Sequence, residues 1–181
     1  MPNWCANNLT LKHEDPAMIT RARDAFIRGE FLQEFIPCPE ELRNTTAQFG
    51  GNDQEKENLK KYGYASWYDW NIAHWGTKWD VGGEGCDALT SPNEFNASFD
   101  SAWSPPVAAY ERLMDLGFEV RGSYYEPGMA FAGVWDNGND DYYEYGGMDS
   151  KEIAETLPPE LDEDFCISES VAEWEAEQEE E

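Results

Sequence analysis

Positive charge is scarce in this sequence, and so are the residues that most often carry catalysis. Its 181 residues include 12 Lys and Arg against 38 Asp and Glu, with two His and four Cys, for a formal net charge of -26. A surface this acidic repels phosphate backbones and anionic lipid headgroups, which argues against direct binding to nucleic acid or to a membrane. No apolar run approaches the roughly 18 to 20 residues that a membrane span needs, and no basic leader with an apolar segment opens the chain, so a cytoplasmic protein is expected. Cys5, Cys38, Cys86 and Cys166 stand far apart without a C-x-x-C pair, and His13 and His74 lie in unrelated contexts. Neither a metal site nor a disulfide framework is expected; four reduced thiols, mostly buried, are.

Catalytic motifs are missing as well. No G-x-S-x-G, Walker loop, G-x-G-x-x-G or H-E-x-x-H occurs. Gly82-Gly-Glu-Gly85 lacks the following Lys-Ser/Thr pair of a phosphate cradle and reads as a flexible loop. Cys5 shows no spacing to either His that would build a thiolate pair, and Asp69 beside His74 reads as a helix cap. No catalytic residue and no cofactor is assigned, and a non-enzymatic protein is expected.

What the chain does have is aromatic mass. Apolar residues make up 40% and aromatics 14%, with eight Trp, enough for a real core despite the charge. Trp4 to Lys12, with Leu9 and Leu11 alternating, reads as a strand. Asp15 as cap and Pro16 at the first position begin a helix whose face is Met18, Ile19, Ala22 and Phe26, ended by Gly29. Phe-Ile-Pro-Cys-Pro at 35 to 39 is extended around its prolines, and Asn44 to Gln54 reads as a loop. Ser66 and Asp69 have capping-box spacing before a helix ended by Gly76, and Trp67, Trp70 and His74, with Asn71, on one side read as an aromatic plug over the core, the alternative being an aromatic ligand or base-stacking shelf.

Asp87 to Thr90 is a short strand, and Phe95 to Trp103 a longer one with Phe95, Ala97, Phe99, Ser101 and Trp103 alternating inward. Ser104 and Pro105 begin a second helix with Val107, Tyr110, Leu113 and Met114 on its stripe. Extended pieces at Phe118 to Tyr125, Met129 to Trp135 and Tyr142 to Tyr145 follow, joined by turns at Glu126-Pro127-Gly128 and Asp136-Asn137-Gly138. This order is βαββαβ with additions: a ferredoxin-like α+β fold, an antiparallel sheet with helices on one face, a Trp-rich helical insertion at about 30–85 and extra C-terminal strands. The expected organisation is one domain over 1–150 and an acidic C-terminal tail over 151–181, solvated or partly helical.

Four motifs in order, Met1-Pro-Asn-Trp-Cys5, Trp67-Tyr-Asp-Trp-Asn71 with His74-Trp-Gly-Thr-Lys-Trp-Asp80, Phe99-Asp-Ser-Ala-Trp-Ser-Pro-Pro106, and Tyr125-Glu-Pro-Gly128, resemble the YubB-like proteins. These are ferredoxin-like proteins encoded on bacterial plasmids and phages, and the resemblance spans Met1 to about Trp135. It implies a bacterial cytoplasm as the place of action and transfers no catalytic residue.

Charge is uneven along the chain. Residues 1–121 hold 19 acids and 11 bases, whereas 122–181 hold 19 acids and one base, Lys151. Duplex DNA carries one charge per roughly 1.7 Å of axis, so a scaffold that fixes many carboxylates can occupy a basic cleft made for phosphates. The leading patch is Asp136, Asp140, Asp141, Tyr142, Tyr143, Glu144, Tyr145, Asp149, Glu152 and Glu155, where charge is interleaved with aromatic anchors. The expected partner is a basic nucleic-acid-binding protein, such as a restriction or CRISPR nuclease of the host, blocked by a DNA mimic. Neutralising Asp140, Asp141, Glu144 and Asp149 is then expected to weaken binding without lowering the melting temperature. The alternative is a small-molecule- or RNA-directed enzyme or binding module that uses the Trp-rich insertion and the sheet face.

Overall fold

The computed structural model describes residues 3–45 and 52–179. Six antiparallel strands form one sheet: β1 (Trp4–Lys12), β2 (Asp87–Ser91), β3 (Glu94–Ala102), β4 (Glu119–Glu126), β5 (Phe131–Asp136) and β6 (Asn139–Glu144), in the order β2-β3-β1-β4-β5-β6. With α1 (Pro16–Arg28) between β1 and β2, and α6 (Val107–Asp115) between β3 and β4, the first four strands have the ferredoxin-like arrangement. The hairpin β5-β6 widens the sheet beyond β4. Its turn is Asn137-Gly138, both with positive φ (43° and 98°), the geometry that continues the twist of the flanking strands.

Strand alternation divides the core in two. Leu9, Leu11, Phe95, Phe99, Val120 and Trp135 face α1 and α6 and are buried with Ile19, Phe26, Tyr110 and Leu113. The local signals around α1 are realised as expected: the Asp15 carboxylate accepts from Ala17 N–H at 2.9 Å, and Gly29 closes the helix at φ 72°. The insertion adds α2 (Phe31–Phe35), α3 (Glu40–Arg43), α4 (Asp53–Tyr62) and α5 (Trp67–Trp75) to the same layer. Trp70 and Trp75 are buried there, with His74 stacked on Trp70 at 4.3 Å between ring centroids, the plug expected of this segment.

Several local expectations are corrected. The segment 44–54 is not all loop: an Asn52–Glu55 capping box starts α4 at Asp53, while 46–51 lie outside the described residues. Ser66 and Ser104 do not cap their helices. The Ser104 hydroxyl is drawn away by tertiary contact and donates to the Gly76 carbonyl, tying the Trp-rich helix to the end of β3. Gly82 and Gly83 are not an independent flexible loop. They pass against the end of α1, where Gly83 N–H donates to Phe26 O at 2.8 Å.

The largest difference lies at the C-terminal end. α7 (Ser150–Thr156), α8 (Pro159–Phe165) and α9 (Ile167–Glu179) form a second layer on the opposite face of the sheet. Ile153, Leu157, Leu161 and Ile167 are buried there with Ala132 and Tyr145, beside Tyr125, Val134 and Tyr143. Residues 150–179 are thus helical apart from the joints at Leu157-Pro158 and Cys166, and are anchored by Ile153, Leu161 and Ile167, one on each helix, with Leu157 at the first joint.

Thiol exposure gives a direct check on these layers. Cys5 and Cys38 are buried, and burial is the main cause that pushes their pKa values up to about 12 and about 11. Because the thiolate is the nucleophile, a colorimetric disulfide reagent at pH 8 is expected to modify Cys166 rapidly and to reach Cys5 and Cys38 only on unfolding. Prompt titration of all four thiols in the native state would contradict this packing.

Candidate functional site

Because successive side chains on a strand point to opposite faces, the hairpin splits the acidic patch that the sequence suggested. Asp136, Asp141 and Tyr143 face the side of α7 to α9, whereas Asp140, Tyr142 and Glu144 face the other. Tyr145 is buried and stacks on Tyr125 at 6.1 Å, so it is not a surface anchor. Tyr142 is exposed, packs on Phe131 at 5.4 Å, and has its pKa raised by burial and then by Glu144 and Asp140. Its hydroxyl therefore stays neutral, a donor among acceptors.

Asp140 is fixed by a specific device. Tyr124, buried in β4, lies across β5 and donates its hydroxyl to Asp140 Oδ1 at 2.7 Å. The ring passes over Gly133, where a Cβ would overlap the Tyr124 phenol. Gly133 is thus the gap that lets a core tyrosine hold a carboxylate two strands away.

Asp149 and Glu152 are committed elsewhere. Asp149 accepts from Glu152 N–H at 2.8 Å while Glu152 Oε2 accepts from Asp149 N–H at 3.1 Å, a reciprocal cap on α7. This corrects the expectation that neutralising Asp149 spares the melting temperature. Asp149→Ala is expected to cost about 1 kcal/mol, read as a fall in the denaturation midpoint, and an unchanged midpoint would show that the cap carries nothing. Glu155 is exposed on the same helix.

The concave feature of this face was not singled out from the sequence. α7 to α9 cover the β4-β6 half, and the β1-β3 half stays open, leaving a groove of about 750 Å³ beside α8. Asp87 comes from β2, Asp136 and Asp141 from the hairpin, and Glu160, Glu163 and Asp164 from α8; Arg121 is the basic residue among the lining groups. Arg121 pairs with Glu160 at 3.1 Å, and Ser123 donates to Asp164 at 3.2 Å. The floor is polar and internally satisfied: Thr10 donates to Asn96 and Ser98 to Asn8, each at 2.7 Å. Leu89 stands 76% exposed at the edge. Chemically the groove is an array of acceptors with surplus negative charge, suited to Lys and Arg side chains. Among the described residues, no three His, Cys, Asp or Glu side chains converge as metal ligands would. Nor is any described helix long and apolar enough to cross a membrane.

No family model and no curated protein matches the chain. A solved structure, protein api92 from Yersinia pseudotuberculosis, is similar at 12% identity and a TM-score of 0.47, covering 81% of this chain and 99% of that one.

The signal that would have pointed to the groove was available in part. Glu160, Glu163 and Asp164 lie on successive turns of one short helix, but only the docking of that helix on the sheet brings them opposite Asp87 and Asp141.

Proposed function

We propose that this protein is a non-enzymatic acidic interaction protein that occupies the nucleic-acid-binding cleft of a basic partner, such as a nuclease of a bacterial defence system. Membership of the YubB-like family is part of the same proposal. The observation that carries it is the mounting of the C-terminal carboxylates: acids of residues 136–177 sit on a hairpin and three helices held to the sheet by Ile153, Leu157, Leu161 and Ile167. Groups already positioned lose little ordering entropy on binding, unlike those of a floppy tail. Their charge is largely uncompensated, since the ion pair from this region among the described residues is Glu160 with Arg121.

The test is competition. Duplex DNA bound to a basic DNA-binding protein recovered on this chain from bacterial lysate is challenged with the intact protein. The duplex is expected to be released, with affinity falling steeply between roughly 50 and 200 mM salt. Asp136→Asn, Asp141→Asn and Glu163→Gln together are expected to weaken release at least tenfold with an unchanged fold. Binding indifferent to salt and to these substitutions would contradict the proposal.

A further inference from the structure

A second concavity lies on the other side of the sheet, in the Trp-rich insertion. It has a volume of about 410 Å³, within the roughly 300–1,000 Å³ of small-molecule sites. Trp67, Trp75 and Trp79 line it, with Asn71, Arg43, Glu30 and Asp80 as the principal polar groups. Most of its polar capacity is already spent. The Trp75 indole N–H donates to Ile36 O at 2.9 Å. Asp80 accepts from the N–H groups of Leu32, Gln33 and Val81 at 2.7 to 2.9 Å, and Glu30 pairs with Arg28 at 3.5 Å.

Two groups are left over. Asn71 is 5% exposed; its Nδ2 donates to Lys78 O at 2.9 Å, but its Oδ1 has no donor. A buried acceptor without a partner is costly, so a ligand N–H there gains the full value of the bond. Arg43 has no ion-pair partner among the described residues. A second cation, Lys78, lies 4.5 Å from the Trp79 ring centroid.

From the tryptophan lining, an acceptor awaiting an N–H, and the Arg43 guanidinium among the lining groups, we infer that this pocket binds a nitrogen heteroaromatic ring carrying an anionic group, of which a nucleoside monophosphate is the common form. The ring stacks on the indoles, as bases do on aromatic side chains. A ring N–H or exocyclic amine donates to Asn71 Oδ1, and Arg43 takes the anion in charge-assisted hydrogen bonds. The inference is independent of the acidic groove, which lies on the opposite face of the sheet.

The full chain is titrated with the four 5′-nucleoside monophosphates, the matching nucleosides and inorganic phosphate, followed by tryptophan emission and by calorimetry. Saturable binding of at least one monophosphate is expected, with its nucleoside weaker and phosphate alone inert. Arg43→Ala is expected to reduce the monophosphate to the affinity of its nucleoside. Asn71→Leu is expected to weaken both about tenfold, one hydrogen bond to a buried acceptor. Should Asn71→Leu fail to fold, Arg43→Ala and the half-exposed Trp79→Ala decide. No saturable binding of any monophosphate, or affinities unchanged in these two variants, overturns the inference. Salt separates the two sites: nucleotide binding has at most a few charges to screen, whereas partner binding in the groove has many.

Discussion

Replacing Ile153 by Ala is expected to destabilise the protein by about 2–5 kcal/mol, the range for truncating a buried aliphatic side chain in a core that cannot fully collapse. In a chain of this size that is a fall of roughly 4 to 20 °C in the melting temperature. Ile153 is wholly buried in the cluster that joins Leu157, Leu161 and Ile167 to Ala132 and Tyr145. The loss therefore falls on the attachment of α7 to α9 rather than on the layer beneath α1 and α6. Circular dichroism should show helix melting before the tryptophan environment of the larger core changes. A cost under about 1 kcal/mol would mean that the C-terminal helices contribute little to the folded state. Proteolysis of the variant within 150–179 would report the same detachment, and weaker partner binding should accompany it without any change in charge.

A comparable effect is expected from Gly82→Ala. Gly82 has φ +99°, and a Cβ there would overlap the Phe26 carbonyl oxygen while standing 3.0 Å from the Phe26 ring. Strain and overlap together cost roughly 3 kcal/mol or more, since neither the helix end nor Phe26, packed against Phe31, Phe95 and Phe99, has room to move. Gly85→Ala separates the two contributions. Gly85 also has positive φ, +88°, but nothing lies within 4 Å of its added Cβ, so it carries the backbone strain alone, about 1 kcal/mol. Equal effects at the two positions, measured by urea denaturation, would remove the close approach from the account. Retention of wild-type stability at Gly82 would show that the 82–85 segment moves freely.

The ferredoxin-like frame was legible because its signals are local and strong. β1 alternates Leu9 and Leu11 inward, α1 has both Asp15 and Gly29 at its ends, and β3 keeps period two through Phe95, Ala97 and Phe99. α6 was legible from its stripe, although its Ser104 signal was answered by a partner 28 residues away in sequence. α7 to α9 were obscured because charge dominates their composition. Asp149 with Glu152 is a capping box, but Ile153 in α7 and Leu161 in α8 stand on separate short helices joined at the extended Leu157, and helices this short form only when a sheet face is there to receive them. The hairpin residues were identified correctly as charged and aromatic, yet their division between two faces follows from the strand period. The groove and the Trp-walled pocket join residues far apart in sequence, Asp87 with Glu163 and Cys38 with Trp79, and only tertiary packing brings such sets together.

The fold holds the C-terminal acids in place, and native-state amide hydrogen exchange across residues 150–179 reads out that hold residue by residue. Protection at Ile153 and Leu157, whose N–H groups donate to Asp149 O and Ile153 O, is expected to persist for as long as that of the neighbouring amides of β5, and to be lost in Ile153→Ala. Exchange of these helices at the rate of an unstructured peptide, while the sheet stays protected, would contradict the account and remove the rigid array on which the proposed binding depends.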